Sequence, residues 1–254
     1  MREREAREAV AEISRRMYAR GLIAAADGNV SLRLGKDRML VTPSGLSKGF
    51  LTADDIVMVD LAGRPIAGRG KPTSEIKMHV FAYRERPDVQ AVVHGHPPVT
   101  VALALAGVSM AQCVLSESCL VLGAVPTAPY ATPSTDEVTA ALRPLIAAAN
   151  AVIMDRHGAL TLGRTLEEAY NRMETLEHTA KITHAARVLG PVQPLPEAEI
   201  EKLRAVARAF GLPEPPQGCE ACNACPNGRA PSPGAGDDEG RAIAAAIAAR
   251  LRPS

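Results

Sequence analysis

Three histidines and one glutamate have the residue types of a metal-assisted acid–base site. His94 and His96 follow an apolar run at 91–93 and are separated by one glycine. Residues i and i+2 of an extended chain face the same way, so both imidazoles can bind one ion. His157 ends a second apolar segment and precedes Gly158. Three imidazoles leave coordination positions open for a substrate, which is the arrangement of a catalytic zinc site.

The hypothesis of a metal site depends on all three of these histidines together, because a single histidine at a strand end commonly makes only local hydrogen bonds. The other histidines, His79, His178 and His184, fall in predicted helices and have no comparable partner pattern. We therefore expect them to be structural or surface residues.

Glu75 is the candidate acid/base. It lies in the first turn of a predicted helix, behind Thr73 and Ser74. Unpaired backbone N–H groups and hydroxyls at such a position form a binding site for a phosphate dianion. The alternative is that Glu75 only complements the helix dipole. The neighbouring motifs favour a role in proton transfer.

Two turns of small residues supply further groups that bind phosphate. Gly28-Asn29 and Ser44-Gly45 offer backbone amides and hydroxyls, although turns of this composition are also common without a ligand. Neither turn has the Walker spacing, which argues against a nucleoside triphosphate. The turns therefore indicate a small phosphorylated molecule only in combination with Glu75 and the histidines.

The secondary-structure pattern predicts an α/β fold in which strands and helices alternate. Short β-branched or apolar segments bounded by Gly and Pro predict strands, whereas apolar residues at helical spacing predict helices. The predicted strands are Val30–Leu34, Met39–Val41, Ile56–Asp60, Val89–Val93 and, as the last one, Ala151–Met154. The predicted helices are Glu3–Ala19, Ser74–Arg86, Pro97–Leu105, Ser134–Ala149, Leu166–Leu189 and Glu197–Phe210.

The amino-acid composition limits which binding partners and which cellular compartment we expect. The 254 residues include 29 basic and 28 acidic side chains with a formal charge of +1, which gives no electrostatic reason to expect nucleic acid or an anionic membrane as a partner. The N-terminal segment is charged where a signal peptide is apolar. Apolar runs stay shorter than the roughly 18 residues of a membrane span. We therefore expect a cytoplasmic protein with a small-molecule partner.

The domain prediction is a catalytic domain at 1–212, a Pro/Gly/Cys-rich tail or linker at 213–240 and a short helix at 241–254. The tail contains Cys219, Cys222 and Cys225, whose spacing allows a shared metal or a disulfide. Ordinary zinc and iron–sulfur sites need a fourth ligand. An unliganded tail is therefore the favoured interpretation.

An ordered set of motifs over residues of about 5 to 210 resembles the class II aldolase/adducin family. The motifs are GNVS at 28–31, TPSG at 42–45, PTSE at 72–75, HGH at 94–96, APYAT at 128–132 and RHGAL at 156–160. The resemblance implies a three-layer α/β/α fold around a central, largely antiparallel sheet. It also implies a homotetramer with active sites between subunits.

The resemblance further implies the roles of the site residues. The activity it implies is metal-dependent cleavage of a ketose 1-phosphate to dihydroxyacetone phosphate and an aldehyde. Glu75 would transfer the proton and bind the metal when substrate is absent. One divalent ion per subunit is implied, zinc above all, although imidazole also accepts manganese and cobalt. His94, His96 and His157 would bind this ion, and the substrate phosphate would be held by Gly28, Asn29, Ser44, Gly45, Thr73 and Ser74.

One departure from the family pattern concerns the substrate. Counted back from Pro129-Tyr130, Leu115 stands where aldolases of the family present a tyrosine from a neighbouring subunit to the aldehyde, and no tyrosine follows Tyr170. An apolar group there favours a deoxy or thioether end, as in 5-deoxyribulose or 5-methylthioribulose 1-phosphate, over a fuculose-type tail.

Three rival functions belong to the same family. A methylthioribulose-1-phosphate dehydratase would use the same metal and a similar carboxylate to expel water, so product identity separates it from an aldolase. Family epimerases tend to have Asp in place of Glu75, and a non-enzymatic adducin-like scaffold would not need the histidine trio. The sequence therefore favours an aldolase.

Overall fold

Eight strands form one sheet in a computed structural model that describes residues 2–210. The strands are β1 Asn29–Leu34, β2 Arg38–Val41, β3 Val57–Asp60, β4 Pro65–Ala67, β5 Ala91–Gly95, β6 Thr127–Ala128, β7 Ala151–Met154 and β8 Gly158–Gly163. Their order across the sheet is β4-β3-β2-β1-β5-β8-β7-β6. Only the contact between β6 and β7 is parallel among these neighbours, and the others are antiparallel.

Helices cover both faces of this sheet. They are α1 Glu3–Ala19, α2 Ile76–Glu85, α3 Pro98–Leu105, α4 Ser116–Val121, α5 Asp136–Ile146, α6 Leu166–Leu189 and α7 Glu197–Ala209. Buried residues of α1, α3 and α6 pack with one set of strand side chains, and those of α2 and α5 pack with the other set. The predicted three-layer α/β/α architecture is confirmed.

Alternation along the strands explains the two separate cores. In β5, Ala91 and Val93 belong to the core under α1, α3 and α6, whereas Val92 belongs to the core under α2 and α5. Successive side chains of a strand point to opposite faces, so a fully apolar strand must be covered on both. The completely buried β5 is therefore the central strand that ends at the histidines.

Several elements differ from the prediction. The strand at 151–154 is not the last one, because β8 follows it after a tight turn in which Arg156 has a φ of +55°. The short strands β4 and β6 and the six-residue helix α4 were also missed. Helix α2 begins at Ile76, so Glu75 occupies the N-cap position rather than the first turn.

One part of the prediction concerns the C-terminal segment. The proposed tail and terminal helix, with Cys219, Cys222 and Cys225, lie outside the described residues, so the domain boundaries stay a prediction.

Within residues 2–210, none of the helices combines the length and the apolar character needed to cross a membrane.

Candidate active site

The ends of β5 and β8 bring the three predicted histidines together. Residue His94 of β5 pairs with Leu160 of β8, and Gly95 pairs with Ala159. His157 directly precedes β8, so its ring faces those of His94 and His96 with centroid separations of 4.8 and 5.2 Å. One nitrogen from each imidazole lies within 4.8 Å of the others, and this group could hold a metal ion.

The orientation of the imidazoles suits metal binding. Nδ1 of His94 lies 2.9 Å from the carbonyl oxygen of Ala159 and donates to it, so Nε2 is the nitrogen that faces Glu75 and can take a metal ion in place of a proton. Nε2 of His94 is 3.1 Å from Nε2 of His96. Two nitrogens bound to one tetrahedral zinc ion at about 2.0–2.1 Å lie roughly 3.3 Å apart. The arrangement therefore fits a shared ion.

Glu75 lies against this cluster. Its Oε2 is 3.2 Å from Nε2 of His94, and its Oε1 is 3.3 Å from Nε2 of His157. The amide Nδ2 of Asn29 donates to Oε2 at 2.9 Å. Oε1 is buried and accepts no hydrogen bond from the residues that the structure describes. A carboxylate oxygen left in this state beside two imidazoles is a further indication of a cation site.

The protonation states also favour a cation. Burial lowers the pKa of His96 to about 4 and also lowers the pKa of His157, so both imidazoles are neutral near pH 7. Burial alone would raise the pKa of Glu75, but the neighbouring His94 and the hydrogen bond from Asn29 hold it below its ordinary value. Neutral imidazoles and an ionised carboxylate are the forms that bind metal.

The predicted phosphate-binding segments lie side by side next to Glu75. The backbone N–H of Thr73 donates to the carbonyl of Thr42, and that of Ser44 donates to Lys71. The residues Ser44, Gly45 and Ser74 are exposed, whereas Thr73 is buried. The loop tips therefore present polar groups to solvent beside the carboxylate.

Gly28 and Asn29 connect these segments to the three clustered histidines. Gly28 has a φ of +69°, and a Cβ there would come within 2.9 Å of the carbonyl oxygen of His94. Only glycine fits such a close approach at a positive φ. The side chain of Asn29 already binds Glu75 and His79. Phosphate binding by Gly28, Asn29 and the neighbouring loops stays a prediction.

Two buried polar residues make contacts that the sequence does not predict. His79, one of the histidines expected to be structural or surface residues, is structural: it is completely buried and hydrogen-bonded to Asn29 and Ser31, whereas His178 and His184 are exposed. Lys48 has no sequence signal for its contacts. It is buried, and its Nζ donates to the carbonyls of Ala26 and Leu46, both at 2.8 Å.

Comparison with known proteins gives the family. The sequence model described as Class II Aldolase and Adducin N-terminal domain matches residues 8–184, so the chain belongs to this family. The chain is 37% identical over 171 residues to an L-fuculose phosphate aldolase of Methanococcus vannielii, with 66% of this chain and 90% of that protein covered.

Two further relatives and one solved structure are also similar to this chain. The chain is 33% identical to a 3-oxo-tetronate 4-phosphate decarboxylase of Escherichia coli (strain K12). The aligned region spans 80% of this chain and 96% of that protein. A 5-methylthioribulose-1-phosphate/5-deoxyribulose-1-phosphate aldolase of Rhodospirillum rubrum is 31% identical, with coverage of 83% and 96%. A solved L-fuculose 1-phosphate aldolase superposes with a TM-score of 0.75 at 28% identity, covering 82% of this chain and 97% of that one. These findings identify the protein as an enzyme of the lyase class.

Proposed function

We propose that this enzyme cleaves a ketose 1-phosphate in a metal-dependent retro-aldol reaction. The products are dihydroxyacetone phosphate and an aldehyde. The observation that carries the proposal is the position of the Glu75 carboxylate, which lies within 3.3 Å of two of the three clustered imidazoles; the exposed Ser74 directly precedes Glu75 in the chain.

The chain's own residues bind and orient the substrate. The exposed loop residues Ser44, Gly45 and Ser74, together with Gly28, Asn29 and Thr73, hold the phosphate through amides and hydroxyls. This contact fixes the position of the reacting carbons relative to Glu75. As the carbon–carbon bond breaks, the hydroxyl group of the aldehyde half loses its proton; Glu75 takes up this proton and returns it to the carbon next to the carbonyl, or removes it from that carbon in the condensation direction.

A divalent ion, most suitably zinc, is the cofactor of the proposal. His94, His96 and His157 would hold it, with Glu75 as a further ligand when substrate is absent. When bound, the ion supplies Lewis-acid stabilisation of the negative charge that develops on the substrate as the carbon–carbon bond breaks. Manganese or cobalt would fill the same role, since imidazole binds all three.

The identity of the aldehyde follows from Leu115 in this proposal. Leu115 is half-buried at the start of α4, and the homotetramer we propose would bring it to a neighbouring active site. An apolar side chain there favours a deoxy or methylthio end of the substrate. The relative from Rhodospirillum rubrum is named for such substrates, which supports this choice. We also propose a cytoplasmic location.

A second candidate is the decarboxylation of a 3-oxo acid phosphate. It is favoured by the Escherichia coli relative, whose name specifies that reaction and of which 96% is matched by this chain. Loss of carbon dioxide next to a carbonyl leaves the same type of negative charge as aldol cleavage, so the cluster and Glu75 would have equivalent tasks.

The test is a product assay on purified protein, first treated with chelator and then resupplied with zinc, manganese or cobalt. The substrates are the 1-phosphates of fuculose, 5-deoxyribulose and 5-methylthioribulose, and 3-oxo-tetronate 4-phosphate. Metal-dependent release of dihydroxyacetone phosphate together with an aldehyde from a ketose 1-phosphate, fastest with the deoxy or methylthio substrates, is the expected result. Release of carbon dioxide from 3-oxo-tetronate 4-phosphate, which also leaves dihydroxyacetone phosphate, would instead identify a decarboxylase, and loss of water a dehydratase.

A matched histidine control shows whether the metal belongs to the cluster. The variant His157→Ala is expected to lose bound metal and turnover together. The variant His184→Ala changes an exposed histidine of α6 and is expected to keep both. Equal metal content and equal turnover in the two variants would contradict the proposed site.

A further inference from the structure

A chain of buried hydrogen bonds leads from Glu75 into the core beneath α2. Asn29 Nδ2 lies 2.9 Å from Glu75 Oε2, and Asn29 Oδ1 lies 2.5 Å from His79 Nε2. On the other side of the imidazole, His79 Nδ1 lies 2.6 Å from Ser31 Oγ, which in turn lies 2.8 Å from the hydroxyl of Tyr83. We call these residues, Glu75, Asn29, His79, Ser31 and Tyr83, the buried relay.

The direction of every hydrogen bond in the relay follows from the ionised carboxylate at its end. A carboxylate only accepts hydrogen bonds, so Asn29 must turn its NH₂ group to Glu75 and its carbonyl oxygen to His79. His79 must therefore donate from Nε2, which leaves Nδ1 to accept the hydroxyl proton of Ser31. With that proton used, the hydroxyl of Tyr83 donates to Ser31 at 2.8 Å in preference to the carbonyl oxygen of Gln90 at 3.4 Å.

The helix places these groups on one face. Residues Glu75, His79 and Tyr83 are four apart, and side chains at this spacing lie one above another along a helix. All three are buried, and both Asn29 and Ser31 lie opposite them on β1. Burial lowers the pKa of His79 to about 3, so the ring is neutral and has a single N–H to donate.

We infer that His79 is a positioning residue for the reaction: its Nε2–H fixes the amide of Asn29, which fixes the Glu75 carboxylate beside the clustered imidazoles. The inference rests on the proposed role of Glu75 in proton transfer. Without a donor at Nε2, the amide of Asn29 is free to turn over and to present its oxygen to the carboxylate. The carboxylate then loses the donor that holds it.

The tautomer of His79 provides a test that does not depend on catalysis. Nitrogen NMR of the full chain with ¹⁵N-labelled histidine, loaded with zinc, separates the two neutral tautomers and the imidazolium. The His79 resonances are assigned by their loss in His79→Gln. A neutral ring protonated at Nε2, with Nδ1 accepting a hydrogen bond, is expected. A ring protonated at Nδ1, or at both nitrogens at pH 7, would overturn the inference.

Kinetics of two variants of similar volume separate positioning from packing. The variant His79→Met fills the space without a donor, and His79→Gln restores an N–H at the position of Nε2. The kcat of His79→Met should fall by about 10–100-fold, the effect typical of losing a group that orients a site residue. KM and metal content should stay close to those of the wild type, because phosphate and metal contacts are unchanged. His79→Gln should recover most of kcat.

Each outcome has a separate meaning. Ser14→Ala removes a buried hydroxyl that donates to Val10 within α1, a helix that packs in the other core from α2; it is the control for general destabilisation and should keep kcat. Full kcat in His79→Met, or equal losses in the Met and Gln variants, would overturn the positioning role while leaving the proposed function intact. A wild-type protein without metal-dependent turnover on the substrate panel would refute the proposed function. The tautomer measurement would still decide the direction of the relay.

Discussion

Oε2 of Glu75 lies 3.2 Å from Nε2 of His94, a distance at which the carboxylate and the imidazole compete for the same cation or proton. The two side chains reach this point from different elements, since Glu75 occupies the N-cap position of α2 and His94 lies near the end of β5. A group that can leave a metal ion and then act on substrate needs such a position.

Replacing Glu75 with Gln should separate chemistry from metal binding. The amide keeps the shape and can still accept the hydrogen bond from Asn29, but it cannot take up a proton at the pH of the assay. Turnover should fall by about 10²–10⁴-fold. Metal content should remain close to that of the wild type because the three histidines are unchanged. Steady-state kinetics and elemental analysis measure the two effects, and turnover near the wild-type value would refute the role of Glu75.

Gly158→Ala should disrupt the cluster by steric means. A Cβ at this position would collide with the carbonyl oxygen of Gly95 and come within 2.7 Å of Cδ2 of His96. The strands β5 and β8 would have to separate where they position the histidines, so metal affinity should fall. Gly190→Ala is the matched control, since no atom lies within 4 Å of its added Cβ. Equal metal affinity in both variants, measured by competition with a chromogenic chelator, would contradict this geometry.

Lys48→Met should loosen the predicted phosphate loops. The ammonium group ties the carbonyls of Ala26 and Leu46 together, and a methionine of similar volume cannot donate. We expect a loss of about 1–3 kcal/mol in the free energy of unfolding and a rise in KM that exceeds the change in kcat. Lys36→Met, at an exposed position, should change neither quantity. A KM unaffected by the Lys48 variant would show that the loops do not depend on this contact.

Glu177→Gln should destabilise the helix that follows His96. The buried carboxylate of Glu177 on α6 accepts from the backbone N–H groups of Val99 and Thr100 and from the Thr100 hydroxyl, at 3.0 to 3.2 Å. Replacing it with an amide weakens three hydrogen bonds to the first turn of α3, at a cost of about 1–3 kcal/mol. Glu174→Gln, at a partly exposed ion pair with Arg20, should cost much less. Urea unfolding of both variants makes the comparison.

The sequence was sufficient to predict the strands that end at the histidines, because an apolar run followed by polar ligands is a local pattern. It was insufficient for β8, whose first residue is a glycine and whose pairing with β5 depends on contacts about 65 residues apart in sequence. The strands β4 and β6 are too short to show a period of two. Their existence depends on neighbours in the sheet rather than on their own residues.

The candidate site, like the fold, is only partly predictable from the sequence. The trio His94, His96 and His157 was identified from residue type and spacing, and the structure brings these side chains together. The sequence predicts a structural or surface role for His79, and the structure shows the structural one; its spacing of four from both Glu75 and Tyr83 is the sequence signal for the polar face that they share. The contact between Lys48 and two loop carbonyls had no sequence signal, since it depends on how the loops fold back over the side chain.

The most direct test of the central claim is an anomalous diffraction measurement at the zinc edge on crystals of the zinc-loaded protein. The account predicts one strong peak within roughly 2.0–2.1 Å of Nε2 of His94, His96 and His157, with Glu75 beside it. A zinc ion bound elsewhere, or a peak that persists at full strength in the double variant His94→Ala/His157→Ala, would contradict it.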